Sequence, residues 1–332
     1  MMHRPKPTLA EQVVVVTGAS SGIGLATVRL AAERGARVVA AARSPEIESI
    51  VAVLRDETEG AIEAVVGDVS VEDDLRRIAA CAIDRFGRID TWINNAGSTV
   101  YGRSIDVPLD DMRELFETDF WGVVMGSRIA IEHLRDHGGT LINVGSVVSD
   151  RAVPLQGVYS AAKHAVKAFT DALRMELEHD HVPVNVTLVK PATIDTPFFA
   201  HAKSHLDEGT PAPSSPVYSP EAVAEVLLQC AVKPVREISV GLGGRAHAWL
   251  GRVAPRLADR IMQRQLHREQ VRSEPHEKRT QGPGEERGDH RGRVIRRSVY
   301  ASLRSRPVAS SVAAAFGAVL VAIGALRAAQ QG

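Results

Sequence analysis

Apolar and polar positions change period repeatedly along the first 240 residues of this chain. Val13 to Val16 is a continuous β-branched run that ends in Thr17-Gly18-Ala19-Ser20-Ser21-Gly22-Ile23-Gly24, after which Leu25, Val28, Leu30 and Ala31 return at helical spacing. The unit repeats: a strand at Arg37 to Ala42, a helix to Glu59, a strand at Ala61 to Val66, a helix from Glu72 to Arg85 and a strand at Thr91 to Asn94. Further strands are expected at Thr140 to Val144, Val184 to Val189 and Glu237 to Val240. Strands that alternate with helices across short connections must pair in parallel through right-handed crossovers. The expected fold is therefore α/β, a doubly wound parallel sheet.

The pattern changes after Gly244. Trp249, Leu250, Val253, Leu257, Ile261 and Leu266 share one helical face beside arginines, with Pro255 expected to kink or divide the helix. Ser273 to His290 is polar and rich in Gly and Glu, which reads as a linker. Val308 to Leu326 then runs 19 residues without a charge, long enough at ~1.5 Å per residue to approach the ~30 Å of a bilayer core. The division this suggests is an N-terminal tail at 1–8, a catalytic domain at 9–245 and an amphipathic helical segment at 246–272. A basic linker at 273–307 and a membrane-spanning or membrane-associated helix at 308–326 complete it.

Charge sharpens that division. Over 332 residues the 40 Lys and Arg balance the 40 Asp and Glu. Beyond Val240, however, 17 cations face 7 anions, which leaves 23 against 33 before it. Two parts of opposite charge point to two tasks. The two cysteines, Cys81 and Cys230, are too few for a disulfide framework and wrongly spaced for zinc, so buried thiols in a reducing compartment are expected. No signal-peptide core follows the basic N-terminus, so that end is read as cytoplasmic.

Chemistry concentrates in three places. A phosphate-bearing cofactor needs backbone amides near its pyrophosphate and a helix N-terminus facing the charge, which Gly18, Gly22 and Gly24 can provide in the first βα turn; the alternative is an ordinary glycine-rich turn. The second strand ends Ala42-Arg43-Ser44 with no carboxylate to receive a free ribose 2′-hydroxyl. Arg43 can instead grip a 2′-phosphate, which favours NADP(H) over NAD, unless it is simply a solvated strand-end arginine. Tyr159 and Lys163 stand four apart on one helical face, where a cation can stabilise a phenolate, and Ser146 thirteen residues earlier offers a hydroxyl to a carbonyl oxygen.

Taken in order and spacing, Thr17 to Gly24, Asn94-Asn95-Ala96-Gly97, Ser146, and Tyr159 with Lys163 resemble the short-chain dehydrogenase/reductase family over roughly residues 9 to 245. The resemblance implies a Rossmann fold with a helical C-terminal extension. It implies that Thr17, Gly18, Ser20, Ser21, Gly22, Ile23 and Gly24 hold the pyrophosphate end of the cofactor, and that Asp68 with Val69 meets the adenine. Asn95, Ala96 and Gly97 line the cofactor, and Pro191, Ile194 and Thr196 belong to the loop over the nicotinamide. Tyr159 is implied as acid/base, Lys163 as the group that holds the nicotinamide ribose and lowers the phenol's pKa, and Ser146 as the orienter of the substrate carbonyl. Two positions depart from the family. Asp119 replaces the usual asparagine of the catalytic set, keeping its main-chain carbonyl but exchanging an amide donor for an acceptor, and Ala192 replaces a glycine after Pro191.

The segment Phe198 to Pro220 occupies the family's usual place for a substrate lid. His201 and His205 at i and i+4 could form half a metal site; with no third ligand in view, solvated histidines and no metal are expected. Arg291, Arg293, Arg296, Arg297, Arg304 and Arg306 precede Val308 to Leu326 and Arg327 alone follows, so a tail anchor would leave the catalytic domain in the cytoplasm. A helix of small residues packed in an oligomer is the other reading of that segment. No element for reading nucleic acid accompanies the arginines. A similar basic, apolar-tipped extension marks a bacterial branch of the family. The expected function is NADP(H)-dependent hydride transfer between nicotinamide and a secondary alcohol or carbonyl, the substrate being a lipophilic small molecule and the enzyme a homo-oligomer. The alternative is a membrane-tethered NADP(H)-binding scaffold in which Asp119 has weakened catalysis.

Overall fold

A computed structural model describes residues 8–241, 249–263, 271–272, 283–288, 290 and 293–296. Seven parallel strands form the main sheet: β1 (Val13–Thr17), β2 (Arg37–Ala42), β3 (Ile62–Val66), β4 (Thr91–Asn94), β5 (Gly139–Val144), β6 (Val184–Pro191) and β7 (Glu237–Val240). Their order is β7-β6-β5-β4-β1-β2-β3, the doubly wound arrangement expected from the alternation of elements. β6 continues two residues past the expected Val189 because Lys190 and Pro191 pair with Ser239 and Val240 of β7.

Each face of the sheet has its own core. Val14 and Val16 point into a layer shared with α1 (Gly22–Glu33), α2 (Ile47–Glu57) and α7 (Pro220–Val232). Val13 and Val15 point the other way, towards α3 (Glu72–Phe86), α5 (Gly122–Leu134) and the end of α6 (Gly157–His179). All four valines are fully buried, which is why the run is continuous rather than alternating. Cys230 is buried in the first core, where burial pushes its thiol up to about 12. Cys81 is only half-buried.

Buried amides hold α5 and α6 against the sheet. Asn94 Nδ2 donates to Asn143 Oδ1 (2.9 Å) and to Ser127 Oγ (3.2 Å), while Asn143 Nδ2 donates to Thr170 Oγ1 (3.0 Å). A Cβ on Gly126 would lie 2.3 Å from Asn94 Oδ1, so the helix can approach this closely only with glycine there. Between α4 (Leu109–Phe116) and α5, Glu117–Trp121 widens into i→i+5 helix, a local expansion that carries Asp119 inward.

The amphipathic segment is helical over 249–253 and again over Pro255–Ile261, with Pro255 opening the second piece. Ala258 and Met262 are buried, whereas Trp249, Val253 and Leu257 are exposed. The polar stretch expected as a linker is in part docked instead. Gly284 donates to the Ser20 carbonyl (2.7 Å), the Glu285 carbonyl accepts from the Gly22 amide (2.9 Å), and Val294–Ile295 pairs in parallel with Val217–Tyr218. Its attachments are mostly backbone groups, so its polar composition gave no sign of them. No helix among the described residues is long and apolar enough to cross a membrane. The candidate span Val308 to Leu326, Leu266 and the arginines at 291, 297, 304, 306 and 327 lie outside the described residues.

Candidate active site

The strand order reverses between β1 and β4, and the cleft opens at the carboxyl ends of these strands, where an open α/β sheet leaves a crevice. Its volume is about 530 Å³. At one end lies the glycine turn between β1 and α1. Gly18 has φ +65°, and a Cβ there would stand 2.6 Å from Ala96 Cα; a Cβ on Gly24 would stand 2.1 Å from the Gly18 carbonyl oxygen. Thr17 Oγ1 accepts from the Asn95 and Ala96 amides (3.1 Å each). Asn95 Nδ2 donates to the carbonyls of Thr17 (2.9 Å) and Gly18 (3.2 Å), so its side chain braces the turn while the residue lines the cleft. Ile23 and Gly24 line the cleft in the first turn of α1, and among the described residues neither amide has an acceptor. A cradle of this kind, narrowed at the glycines and supplied with helix-end donors, fits a dinucleotide.

Arg43, Ser44, Asp68 and Val69 form the far wall beyond the turn. Arg43 is 74% exposed, with Nη1 3.8 Å from Asp68 Oδ2, a loose contact that leaves the guanidinium able to reach an anion. Asp68 Oδ1 accepts from the Ser70 amide (2.9 Å) and hydroxyl (2.7 Å). On the opposite side Pro191 ends β6, and Ile194 and Thr196 follow it. The Thr196 side chain closes on Gly22, where a Cβ would come within 3.1 Å of it.

At the other end, Tyr159 and Lys163 project from α6 and are buried, with Lys163 Nζ 5.7 Å from the centre of the Tyr159 ring. Nζ donates to the Val144 carbonyl at the end of β5 (3.3 Å) and lies 3.1 Å from Asp119 Oδ2. Asp119 is completely buried; its other oxygen accepts from the Ser98 amide (2.7 Å) and hydroxyl (3.2 Å). Gly97 makes room for this pair, since a Cβ there would stand 3.2 Å from Asp119 Oδ2 and 3.5 Å from Nζ. Ser146 caps the short turn after β5, its hydroxyl accepting from the Val148 amide (3.3 Å).

The electrostatics differ from the expectation of a lowered phenol. Burial raises the Tyr159 phenol above its ordinary value; Lys163 works against this, Asp119 adds to it, and a hydrogen bond from Ser146 works downward. Burial would lower the Lys163 ammonium, but Asp119 and Tyr159 outweigh it and hold the amine above its usual range. The carboxylate at 119 thus takes up part of the charge that would otherwise act on the phenol.

Apart from Phe198, which opens the segment expected as a substrate lid, sequence patterns did not single out the rest of this end of the cleft. Tyr101, Leu115, Val147, Val148, Gln156 and Phe198 line it, and the Phe198 ring sits 5.7 Å from that of Tyr159. These residues come from five separate stretches of chain and share no motif, so only the fold assembles them. His201 also lines the cleft. His205 Nε2 lies 2.7 Å from Asp111 Oδ2, so this histidine is tied to a carboxylate rather than simply solvated.

The sheet order, the glycine turn and the Ser146, Tyr159 and Lys163 grouping define a Rossmann-type oxidoreductase, and the family model for short chain dehydrogenases matches residues 12–207. The chain belongs to the short-chain dehydrogenase/reductase family. It is 44% identical to the uncharacterized oxidoreductase YxnA of Bacillus subtilis (strain 168), over 92% of this chain and 89% of that one. It is 30% identical to 11-beta-hydroxysteroid dehydrogenase A of Sesamum indicum, over 73% and 71%. Among solved structures, a short chain dehydrogenase/reductase from Burkholderia phymatum in complex with NAD superposes with a TM-score of 0.68 at 23% identity, covering 77% of this chain and 96% of that one. An alcohol dehydrogenase from the archaeon Thermococcus sibiricus, complexed with 5-hydroxy-NADP, gives 0.61 at 26% identity, covering 69% and 95%.

Proposed function

We propose that this oxidoreductase is NADP(H)-dependent and moves a hydride between the nicotinamide and a secondary alcohol or carbonyl of lipophilic character. The observation that carries this reading is the convergence of Tyr159, Lys163 and Ser146 on a cleft continuous with the glycine turn. Gly18, Ser20, Ser21, Gly22, Ile23 and Gly24 would hold the pyrophosphate, Asp68 and Val69 the adenine, and Arg43 the 2′-phosphate. Asn95, Ala96, Gly97, Lys163, Pro191, Ile194 and Thr196 would hold the nicotinamide riboside. When bound, the nicotinamide supplies or accepts the hydride.

The chain's own groups manage the substrate oxygen. Tyr159 gives that oxygen a proton in reduction and takes it back in oxidation. Ser146 donates a hydrogen bond to the same atom and fixes its direction, and Lys163 stabilises the phenolate left behind. Asp119 is a positioning residue, setting the place and effective charge of Lys163. Tyr101, Leu115, Val148 and Phe198 favour an apolar substrate body, in keeping with the hydroxysteroid in the name of the sesame relative. Homo-oligomerisation, and attachment of a cytoplasmic catalytic domain to the membrane through Val308 to Leu326, belong to the same reading.

A panel of hydrophobic ketones and aldehydes assayed with NADPH tests it. Turnover is expected in the wild-type chain. Tyr159→Phe should abolish it with NADPH affinity retained, because the change removes a proton donor and little volume. Substantial activity in Tyr159→Phe would overturn the assignment of the acid/base. NADPH binding without turnover of any carbonyl would favour the scaffold.

A further inference from the structure

We propose that residues 283–288 form a retaining strap on the cofactor site, which braces the glycine turn and slows release of the bound dinucleotide; the inference rests on the cofactor reading above. The strap meets the turn through a reciprocal backbone clip. Gly284 donates to the Ser20 carbonyl (2.7 Å) and the Glu285 carbonyl accepts from the Gly22 amide (2.9 Å). The clip uses the first amide of α1 and leaves those of Ile23 and Gly24 for an anion. Pro283 at its leading end lines the cleft, so the strap is itself part of the cleft wall.

The same segment reaches the loop that follows β6. Gly288 is seated so tightly that a Cβ would stand 2.8 Å from both Asp195 Oδ1 and the Thr196 carbonyl oxygen, and the His290 amide donates to Asp195 Oδ1 (3.3 Å). Farther on, Val294–Ile295 pairs with Val217–Tyr218, which pairs in turn with Thr193–Ile194. The strap therefore ties the turn assigned to the pyrophosphate to the loop assigned to the nicotinamide. In sequence these two parts are far apart. Separating them to free a dinucleotide requires breaking the clip or lifting Gly288 from its seat. Glu286 pairs with Arg29 (2.6 Å) and Arg287 Nε with Glu221 (3.0 Å), but these pairs are partly solvated and hold little by themselves. The holding force lies in the backbone clip and the glycine seat.

The test uses the full-length chain and two variants. Gly284→Pro removes the donor to Ser20 at a position whose φ of +93° proline cannot adopt, and Gly288→Ala puts a methyl group against Thr196. NADPH bound to each protein is displaced by excess NADP+ in a stopped-flow instrument and followed by its fluorescence. Release should accelerate about tenfold or more in both variants, with a smaller change in the association rate. Release within twofold of wild type in both, or slower release, overturns the strap while leaving the cofactor site standing. Failure of the wild-type chain to bind either NADPH or NADH would overturn the cofactor reading and the strap with it.

Discussion

Asp119 stands where the resemblance to the family leads one to expect an asparagine. An asparagine there would offer a donor and no charge; the carboxylate instead accepts from Ser98 and faces Lys163 at 3.1 Å in full burial. Because burial and Asp119 both raise the Tyr159 phenol, the phenol is protonated at neutral pH; in the acid/base role proposed for it, it is then ready to donate in carbonyl reduction, and alcohol oxidation should gain as pH rises. Asp119→Asn removes one of the raising influences, so the alkaline rise of the oxidation rate should move to lower pH, with activity near neutral pH equal or higher. The pH profiles of kcat for the two proteins check this, and a large fall in activity would mean that the carboxylate itself is used. Arg43 is mostly solvated, so the contact it offers a 2′-phosphate is worth on the order of 1 kcal/mol. Arg43→Ala should weaken NADPH by about fivefold and leave NADH nearly unchanged, as equilibrium titration will show.

At the scale of elements, the glycine turn and the widened helix before α5 differ in how far sequence exposes them. Gly18 must take φ +65°, and a Cβ on it would stand 2.6 Å from Ala96 Cα; the positive φ is a local need and leaves glycine in the sequence. Gly18→Ala should cost about 2 kcal/mol of stability and at least tenfold in dinucleotide affinity, measured by thermal unfolding and titration. Affinity equal to wild type would show that the turn adapts. The i→i+5 stretch at Glu117–Trp121 carries no such mark. It arises where Asp119 is drawn in by Ser98 and Lys163, both remote in sequence, and local propensity cannot register that pull. The docked segment at 283–288 escaped for a related reason: it meets a distant turn through backbone hydrogen bonds, and the glycines it needs at 284 and 288 look the same in sequence as those of a polar linker.

Across the whole molecule, a buried charge cluster ties the serine loop to the sheet and to α6. Lys190 on β6, 2% exposed, is paired with Asp150 just after Ser149 and with Glu237 on β7, while Lys167 of α6 pairs with Asp150. Burial works to raise the Asp150 carboxyl, but Lys167 and Lys190 outweigh it and hold it below the ordinary carboxylate range. A carboxyl depressed by folding adds stability that is fully present above its unfolded pKa of about 3.9 and disappears as pH falls through the lower folded value. Asp150→Asn should lower stability at pH ~7 by about 2 kcal/mol, less than a fully buried pair loses because Asp150 stays partly solvated, and should lose less on acidification. Urea unfolding from neutral to acid pH checks both; parallel curves for the two proteins would remove the cluster from the acid response. None of this is legible in the sequence, since Asp150, Lys167, Lys190 and Glu237 lie on four separate stretches of chain and share no motif. The sequence by itself determined the doubly wound sheet, the glycine turn and the pairing of Tyr159 with Lys163, because strand burial, positive φ and helical spacing are written in neighbouring residues; Ser146 joined that pair through the resemblance to the family. Tertiary structure alone decided the charge shared between Lys163 and Asp119, the apolar end of the cleft and the clip on the glycine turn. These depend on distances between residues far apart in the chain, which only the packing of both sheet faces sets.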